Sequence, residues 1–170
     1  EEAVLDLWRR ERIFALSVER NAGAEEFTFF EGPPTANNTP HVGHVLTRVV
    51  KDLFPRFQTM RGKRVARKAG WDTHGLAVEI EVEKRLGLSG KRDIAQLVPG
   101  DTRASIERFN RACHDSVMTY ERQWRAMTER VGYWVDLDDA YFTYSNRYVE
   151  SVWWALGELY KSKLLFEGHK

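Results

Sequence analysis

Glu31-Gly32-Pro33-Pro34 cuts off the apolar run Phe27-Thr28-Phe29-Phe30, and a helix-spaced stripe begins only a few residues later. The run is aromatic and β-branched, so it reads as a buried strand. Proline fixes φ and carries no amide hydrogen, so Pro33-Pro34 can neither continue the strand nor enter a helix interior. Beyond the polar loop Thr35-Ala36-Asn37-Asn38-Thr39-Pro40, Val42, Val45, Leu46, Val49, Leu53 and Phe57 recur at helical spacing. Pro55 is placed to kink or end that helix. The pattern then repeats: a second strand over 63–69, a turn Gly70-Trp71-Asp72-Thr73-His74-Gly75, and a helix from Leu76 to Leu86 closed by Gly87. Strand, loop, helix, strand, loop, helix is the opening of a doubly wound α/β unit with parallel strands. Ligands of such sheets bind beyond the carboxyl ends of the strands, where loops 31–40 and 70–75 are expected.

The flanks are helical. Val4, Leu5, Trp8, Ile13 and Leu16 mark one helix from about 4 to 18. After Pro99-Gly100, Asp101 is an N-cap candidate for a long helix carrying Ile106, Phe109, Cys113, Val117, Tyr120, Trp124, Met127 and Val131. Its spacing of three and four makes that aromatic stripe a packing face rather than a cofactor box. Glu107 with Arg111 and Glu121 with Arg125 are i,i+4 pairs expected on the exposed side. Residues 134–139 read as a loop and Arg147 to Tyr160 as a last helix.

Composition excludes several classes. With 26 Lys and Arg against 25 Asp and Glu, the net charge of +1 argues against nucleic-acid binding by bulk electrostatics, while leaving room for a local basic patch. A lone cysteine, Cys113, excludes an internal disulfide and a cysteine-based zinc site within these 170 residues. Five residues, Val152 to Leu156, make the longest apolar run, too short for a membrane span. The first twenty residues are charged throughout, unlike a signal peptide. The chain lacks an initiator Met and stops at Lys170 just after Leu164-Leu165-Phe166, so both ends read as cut.

The two loops carry chemistry. His41-Val42-Gly43-His44 opens a helix, and at about 100° per residue the two imidazoles stand about 60° apart on its first turn. Free backbone N–H groups and the helix dipole favour anions there. Gly43 leaves a gap through which a flat ring can approach the backbone, so a polyphosphate nucleotide suits this turn. The plainer readings are a pair of surface capping histidines, or half of a metal site with no third ligand in view. Asp72, at the end of the second strand, is placed to hold a ligand ammonium group; its plainer reading is an N-cap for the next helix. Gly32-Pro33 offers a ledge free of bulky side chains for a small apolar substrate, or is simply a turn.

Phe29-Phe30-Glu31-Gly32-Pro33-Pro34-Thr35-Ala36-Asn37, His41-Val42-Gly43-His44 and Gly70-Trp71-Asp72-Thr73-His74-Gly75-Leu76 together resemble the class I aminoacyl-tRNA synthetases, in particular their isoleucyl branch. Trp134-Val135-Asp136 and Ser151-Val152-Trp153-Trp154 extend the resemblance along the chain. It implies the first half of a Rossmann-like catalytic domain over 27–100, an N-terminal helical segment over 1–26, and a helical connector over 101–170 leading toward an insertion domain. It also implies activation of isoleucine by ATP with Mg2+ and transfer of the isoleucyl group to tRNA(Ile), in a cytoplasmic, monomeric enzyme with no membrane partner. Zinc is expected only in regions of the family beyond this chain. His41 and His44 would be the catalytic pair. Asn37 and Gly43 would join them around ATP, and Gly32, Pro33 and Asp72 would receive the amino acid.

Two positions depart from the family pattern. Asn38 stands where glycine is usual, a place where asparagine can enter the left-handed region, and Ala77 replaces a usual proline. The second family signature, Lys-Met-Ser-Lys-Ser, is missing; Lys161-Ser162-Lys163 imitates it at a helix end and is set aside. Two other classes compete. A free-standing nucleotidyltransferase would share His-x-Gly-His but has no reason to carry Asp72. A catalytically idle module holding tRNA or a protein partner would tolerate loss of both histidines.

Overall fold

The computed structural model describes residues 1–169; Lys170, the last residue of the expected connector, lies outside them. The elements are α1 (Glu2–Arg10), α2 (Ile13–Arg20), α3 (Val42–Met60), β1 (Lys68–Trp71), α4 (Leu76–Leu86), α5 (Lys91–Ile94), α6 (Thr102–Arg130), β2 (Asp136–Phe142) and α7 (Asn146–Lys161). β1 and β2 pair in parallel, with α4 to α6 forming the crossover between them. The expected α/β class with parallel strands is what the chain adopts.

The strands differ in detail from the sequence reading. Residues 27–30 form no regular ladder. The stretch is tied to the chain on either side of β1 by two isolated parallel bridges, Glu26 to Arg64 and Thr35 to Asp72. Hydrogen bonds flank each: Phe27 N–H to the Arg64 carbonyl at 2.9 Å, and Asp72 N–H to the Pro34 carbonyl at 3.0 Å. The prolines and Gly32 between these bridges remove donors and side-chain packing, so the ladder never fills in. The second strand begins at Lys68, not Lys63, and takes in Gly70 and Trp71. β2 lies where a loop was expected. Its acidic start, Asp136-Leu137-Asp138-Asp139, lacks strand alternation, and the register is irregular there: Lys68 faces Asp136 but Gly70 faces Tyr141. The Asp136 carboxylate accepts the N–H groups of Asp138 and Asp139, both at 3.0 Å, and so closes the bulge.

Four helical expectations also change. The N-terminal helix breaks at Arg12, which adopts φ of 50°, giving α1 and α2. α3 passes through Pro55 and ends at Met60. Its apolar stripe is turned outward: Val42, Leu46, Val49, Leu53 and Phe57 are exposed, whereas Arg48 and Pro55 are buried. Glu121 is buried rather than displayed, and Arg125 bridges it to Asp138 at 3.2 and 3.1 Å.

The core sits between the sheet and α4 and α6. Ala36, Val78 and Val117 form one cluster and Ala69, Tyr133 and Val135 another. The expected packing face of α6 is turned inward at Phe109, Val117 and Trp124, but its first residue, Ile106, is exposed. Asp101 caps it, its Oδ1 accepting the Ala104 N–H at 2.9 Å. Burial pushes the Cys113 thiol up to about 11, so it packs as a small apolar group and not as a nucleophile. Among the described residues no helix is long and apolar enough to cross a membrane.

Candidate functional site

The first turn of α3 is closed by its own histidines. His41 is the N-cap, and its Nδ1 accepts the Gly43 N–H at 3.2 Å. The His41 N–H in turn donates to Nδ1 of His44 at 3.1 Å. This reciprocal cap uses two of the donors that a bare helix start would leave free. An imidazole nitrogen that accepts an N–H must carry a lone pair, so both neutral rings place their proton on Nε2. Neither Nε2 is bonded to a described residue. The donors left at this turn are thereby the two imidazole N–H groups and the Val42 backbone N–H.

The rings lie 3.7 Å apart, centroid to centroid, and His44 packs against Trp124 at 4.4 Å. Burial, then repulsion from His41 and Arg48, holds the His44 pKa below its ordinary value. A Cβ at position 43 would stand 3.0 Å from the His41 ring, so the missing side chain of Gly43 is what lets that ring fold over the turn. Trp124, from α6, also donates its indole N–H to the Asn38 carbonyl at 2.9 Å, tying loop 35–40 to the helix behind it. Positive φ among the described non-glycine residues occurs at Arg12 and Lys163, so Asn38 does not use the left-handed region expected of a glycine substitute.

A cavity of about 360 Å3 opens beside this turn. Gly32, Pro34, Thr35, Asn37, His44 and Trp124 line it, together with Thr47, Arg48 and Lys51 from the inner face of α3. Lys51 pairs with the buried carboxylate of Glu31 and donates to the Gly32 carbonyl at 3.0 Å. The Tyr133 hydroxyl donates to the other Glu31 oxygen at 2.5 Å. Burial and that bond to a carboxylate push the Tyr133 pKa well up, so the hydroxyl stays protonated. These contacts hold the Gly32 backbone from behind.

Asp72 does not cap α4. Gly75 is the N-cap, with no side-chain hydrogen bond. One Asp72 oxygen, Oδ2, accepts the Thr35 hydroxyl at 2.8 Å, and the other receives no hydrogen bond from the described residues. The Ala36 N–H donates to the Asp72 carbonyl at 2.8 Å, which locks the two loops edge to edge. Beyond Asp72 the turn is anchored to the end of β2, where Thr143 Oγ1 accepts the Thr73 N–H at 2.9 Å and meets His74 Nδ1 at 2.6 Å.

Gly32, Asn37 and His44 therefore line one cavity, with Asp72 one hydrogen bond away through Thr35. Pro33, His41 and Gly43 border it without lining it. Asn37 points its amide at the Ala77 carbonyl, 3.5 Å away. Arg48, Lys51, Glu31, Trp124 and Tyr133 were not anticipated as site residues. A signal existed for two of them: Arg48 and Lys51 continue the His44 face of α3 at steps of four and three. A second cavity, of about 860 Å3, is lined by Trp8, Phe14, Arg67 and Trp134 with Lys68 and Asp136. Those last two begin β1 and β2, so it lies at the opposite end of the sheet from the loops. Among the described residues no group of three or more His, Cys, Asp or Glu could hold a metal ion.

The parallel pair with its helical crossover defines an α/β domain, and comparison gives the class. Residues 3–170 match the family model described as tRNA synthetases class I (I, L, M and V), and the chain belongs to that family. It is 55% identical over 170 residues to the isoleucine–tRNA ligase of Thermus thermophilus and 53% identical to that of Clostridium kluyveri. In each case the match covers 100% of this chain and 16% of the relative's length. The fold matches the LeuRS of Agrobacterium radiobacter K84, solved in a ternary complex with tRNA and LeuAMS, with a TM-score of 0.65. That match covers 97% of this chain and 18% of the other, at 21% identity.

Proposed function

We propose that the chain supplies the first half of the active site of an isoleucine–tRNA ligase, which forms isoleucyl-adenylate from isoleucine and ATP and passes the isoleucyl group to tRNA(Ile). The observation that carries this reading is a single cavity lined by both His44 and Thr35, the Thr35 hydroxyl being bonded to Asp72. Asp72 receives the substrate ammonium on its free oxygen. Gly32 and Pro33 seat the apolar side chain against a backbone braced by Lys51. The isoleucine carboxylate then attacks the α-phosphorus in line, forming the new O–P bond as pyrophosphate leaves. No protein nucleophile is needed, so catalysis is positioning and charge stabilisation. His41 and His44 donate from Nε2 to the phosphate oxygens as charge develops. Asn37 and Gly43 border the nucleotide.

ATP fits the donor set at the α3 start. Mg2+ enters with its phosphates, since the described residues offer no carboxylate cluster of their own. In this reading residues 1–26 are a helical lead-in, 27–100 the half-domain, and 101–170 the connector. The working enzyme is a cytoplasmic monomer. The test grafts this chain in place of the matching 170 residues of the Thermus relative and measures ATP–pyrophosphate exchange with isoleucine, valine and leucine. Exchange that depends on isoleucine above the other two is expected. A folded graft without exchange, or one driven equally by all three, overturns the reading.

A further inference from the structure

Arg48 has no stabilising partner of the usual kind. It is 5% exposed, yet its guanidinium makes no hydrogen bond to any described residue, and its Nε is wholly buried without an acceptor. Its guanidinium carbon lies instead over the rings of Trp124 and Tyr133, 5.1 and 5.6 Å from their centroids. The aromatic faces attract the charge without using any of its N–H donors, so the terminal N–H groups are left to meet a ligand. Arg48 lines the cavity with His44 and Lys51.

Charge arithmetic around the cavity gives the same answer. Glu31 is the carboxylate facing Arg48, but it is already engaged by Lys51 and Tyr133. Two cations thus stand against one committed carboxylate, so one buried positive charge is uncompensated. An ion held this way carries a desolvation cost that a native partner ordinarily offsets. Desolvation lowers the Arg48 pKa despite Glu31, the sign expected of a cation short of counter-charge.

We infer that Arg48 is a binding residue for an oxyanion of the substrate, a phosphate oxygen of the nucleotide or the carboxylate of the amino acid, received at its terminal N–H groups in the cavity shared with His44. The planar fork suits two oxygens of one such group, and the two aromatic rings hold the charge in place. The inference rests on the reading of this cavity as the substrate site. It adds to that reading a cation outside the four-residue histidine signature, two helical turns along α3 from His41.

The experiment uses the graft into the Thermus relative and measures by calorimetry, at constant ionic strength, the binding of inorganic pyrophosphate and separately of isoleucine, with isoleucinol as the control that lacks a carboxylate. Affinities are taken for the unsubstituted graft, Arg48→Met, Arg48→Lys and His44→Asn. Arg48→Met should weaken one of the two ligands by roughly 10- to 100-fold, as for loss of a charge-assisted hydrogen bond, with Arg48→Lys between. Loss for pyrophosphate assigns a phosphate oxygen; loss for isoleucine but not isoleucinol assigns the carboxylate. If the Met variant fails to fold, Arg48→Lys carries the test. Pyrophosphate binding that His44→Asn weakens while the Arg48 variants bind like the unsubstituted graft overturns the inference and leaves the site reading standing. If the unsubstituted graft binds neither pyrophosphate nor isoleucine, the site reading falls and the inference with it.

Discussion

At the scale of single residues, function turns on which hydrogen-bonding capacity is left over. His41 and His44 spend their Nδ1 lone pairs on the helix start, so each imidazole is held in one tautomer with Nε2–H outward. For His44 the consequence is testable. Its folded pKa lies below the ordinary 6.5, so its neutral form contributes stability that is fully present above the unfolded value and lost as pH falls through the folded one. Imidazole nitrogen NMR should show a midpoint below 6.5 and the Nε2–H form at pH 7; an Nδ1–H form would contradict the cap. Asp72 makes a similar case. Its Oδ2 is held by Thr35 while the other oxygen receives no hydrogen bond from the described residues. In the graft, Asp72→Ala should cost at least about 100-fold in isoleucine-dependent kcat/KM while the thermal midpoint changes little, because a charge-assisted contact and the neighbouring geometry are lost together. Near-normal exchange would sink the ammonium-binding role.

At the scale of elements, the two loops are brought together just beyond β1, where the Asp72 N–H donates to the Pro34 carbonyl and the Asp72 carbonyl accepts the Ala36 N–H. The β1–β2 pairing depends on Gly70. A Cβ there would lie 2.1 Å from the ring of Tyr141, its cross-strand partner, and that ring is itself stacked on Tyr148 at 5.6 Å. Gly70→Ala should therefore destabilise the chain by about 1–3 kcal/mol, the usual cost of overpacking, read from the denaturant midpoint. An unchanged midpoint would mean that Tyr141 swings aside freely and that the stack contributes nothing. The residue sequence announced the turn chemistry of 31–40 and 70–75 through its prolines and glycines. It could not announce β2, because Asp136-Leu137-Asp138-Asp139 carries no strand alternation, and the Lys68–Asp139 ion pair at 2.6 Å forms only once β1 lies alongside.

At the scale of the whole molecule, α3 is inside out as a helix of a free-standing domain. Leu46, Val49, Leu53 and Phe57 are 66%, 54%, 63% and 49% exposed, while Arg48 on the opposite face is buried. Apolar surface of that extent is unusual on a monomer. Leu46→Lys with Leu53→Lys should accordingly reduce self-association of the isolated chain, seen by light scattering and by lower binding of an apolar dye, and should shift stability by no more than about 0.5 kcal/mol. A large loss of stability would show that these leucines are packed in solution.

Local chemistry accounts for what could be read in advance: prolines and glycines mark the loops, periodicity marks the helices, and the histidine and aspartate signatures mark the edge of the sheet where ligands go. Periodicity shows that a helix has two faces, but not which one meets a neighbour. That choice depends on what lies across from it, and here the charged side of α3 meets Glu31, Tyr133 and Trp124. Tautomers, a braced Gly32 carbonyl and an unpaired buried arginine arise in the same way. Each is a balance of charges and lone pairs contributed by segments as far as 102 residues apart, as in the Tyr133–Glu31 bond, and that balance exists only once the chain has folded.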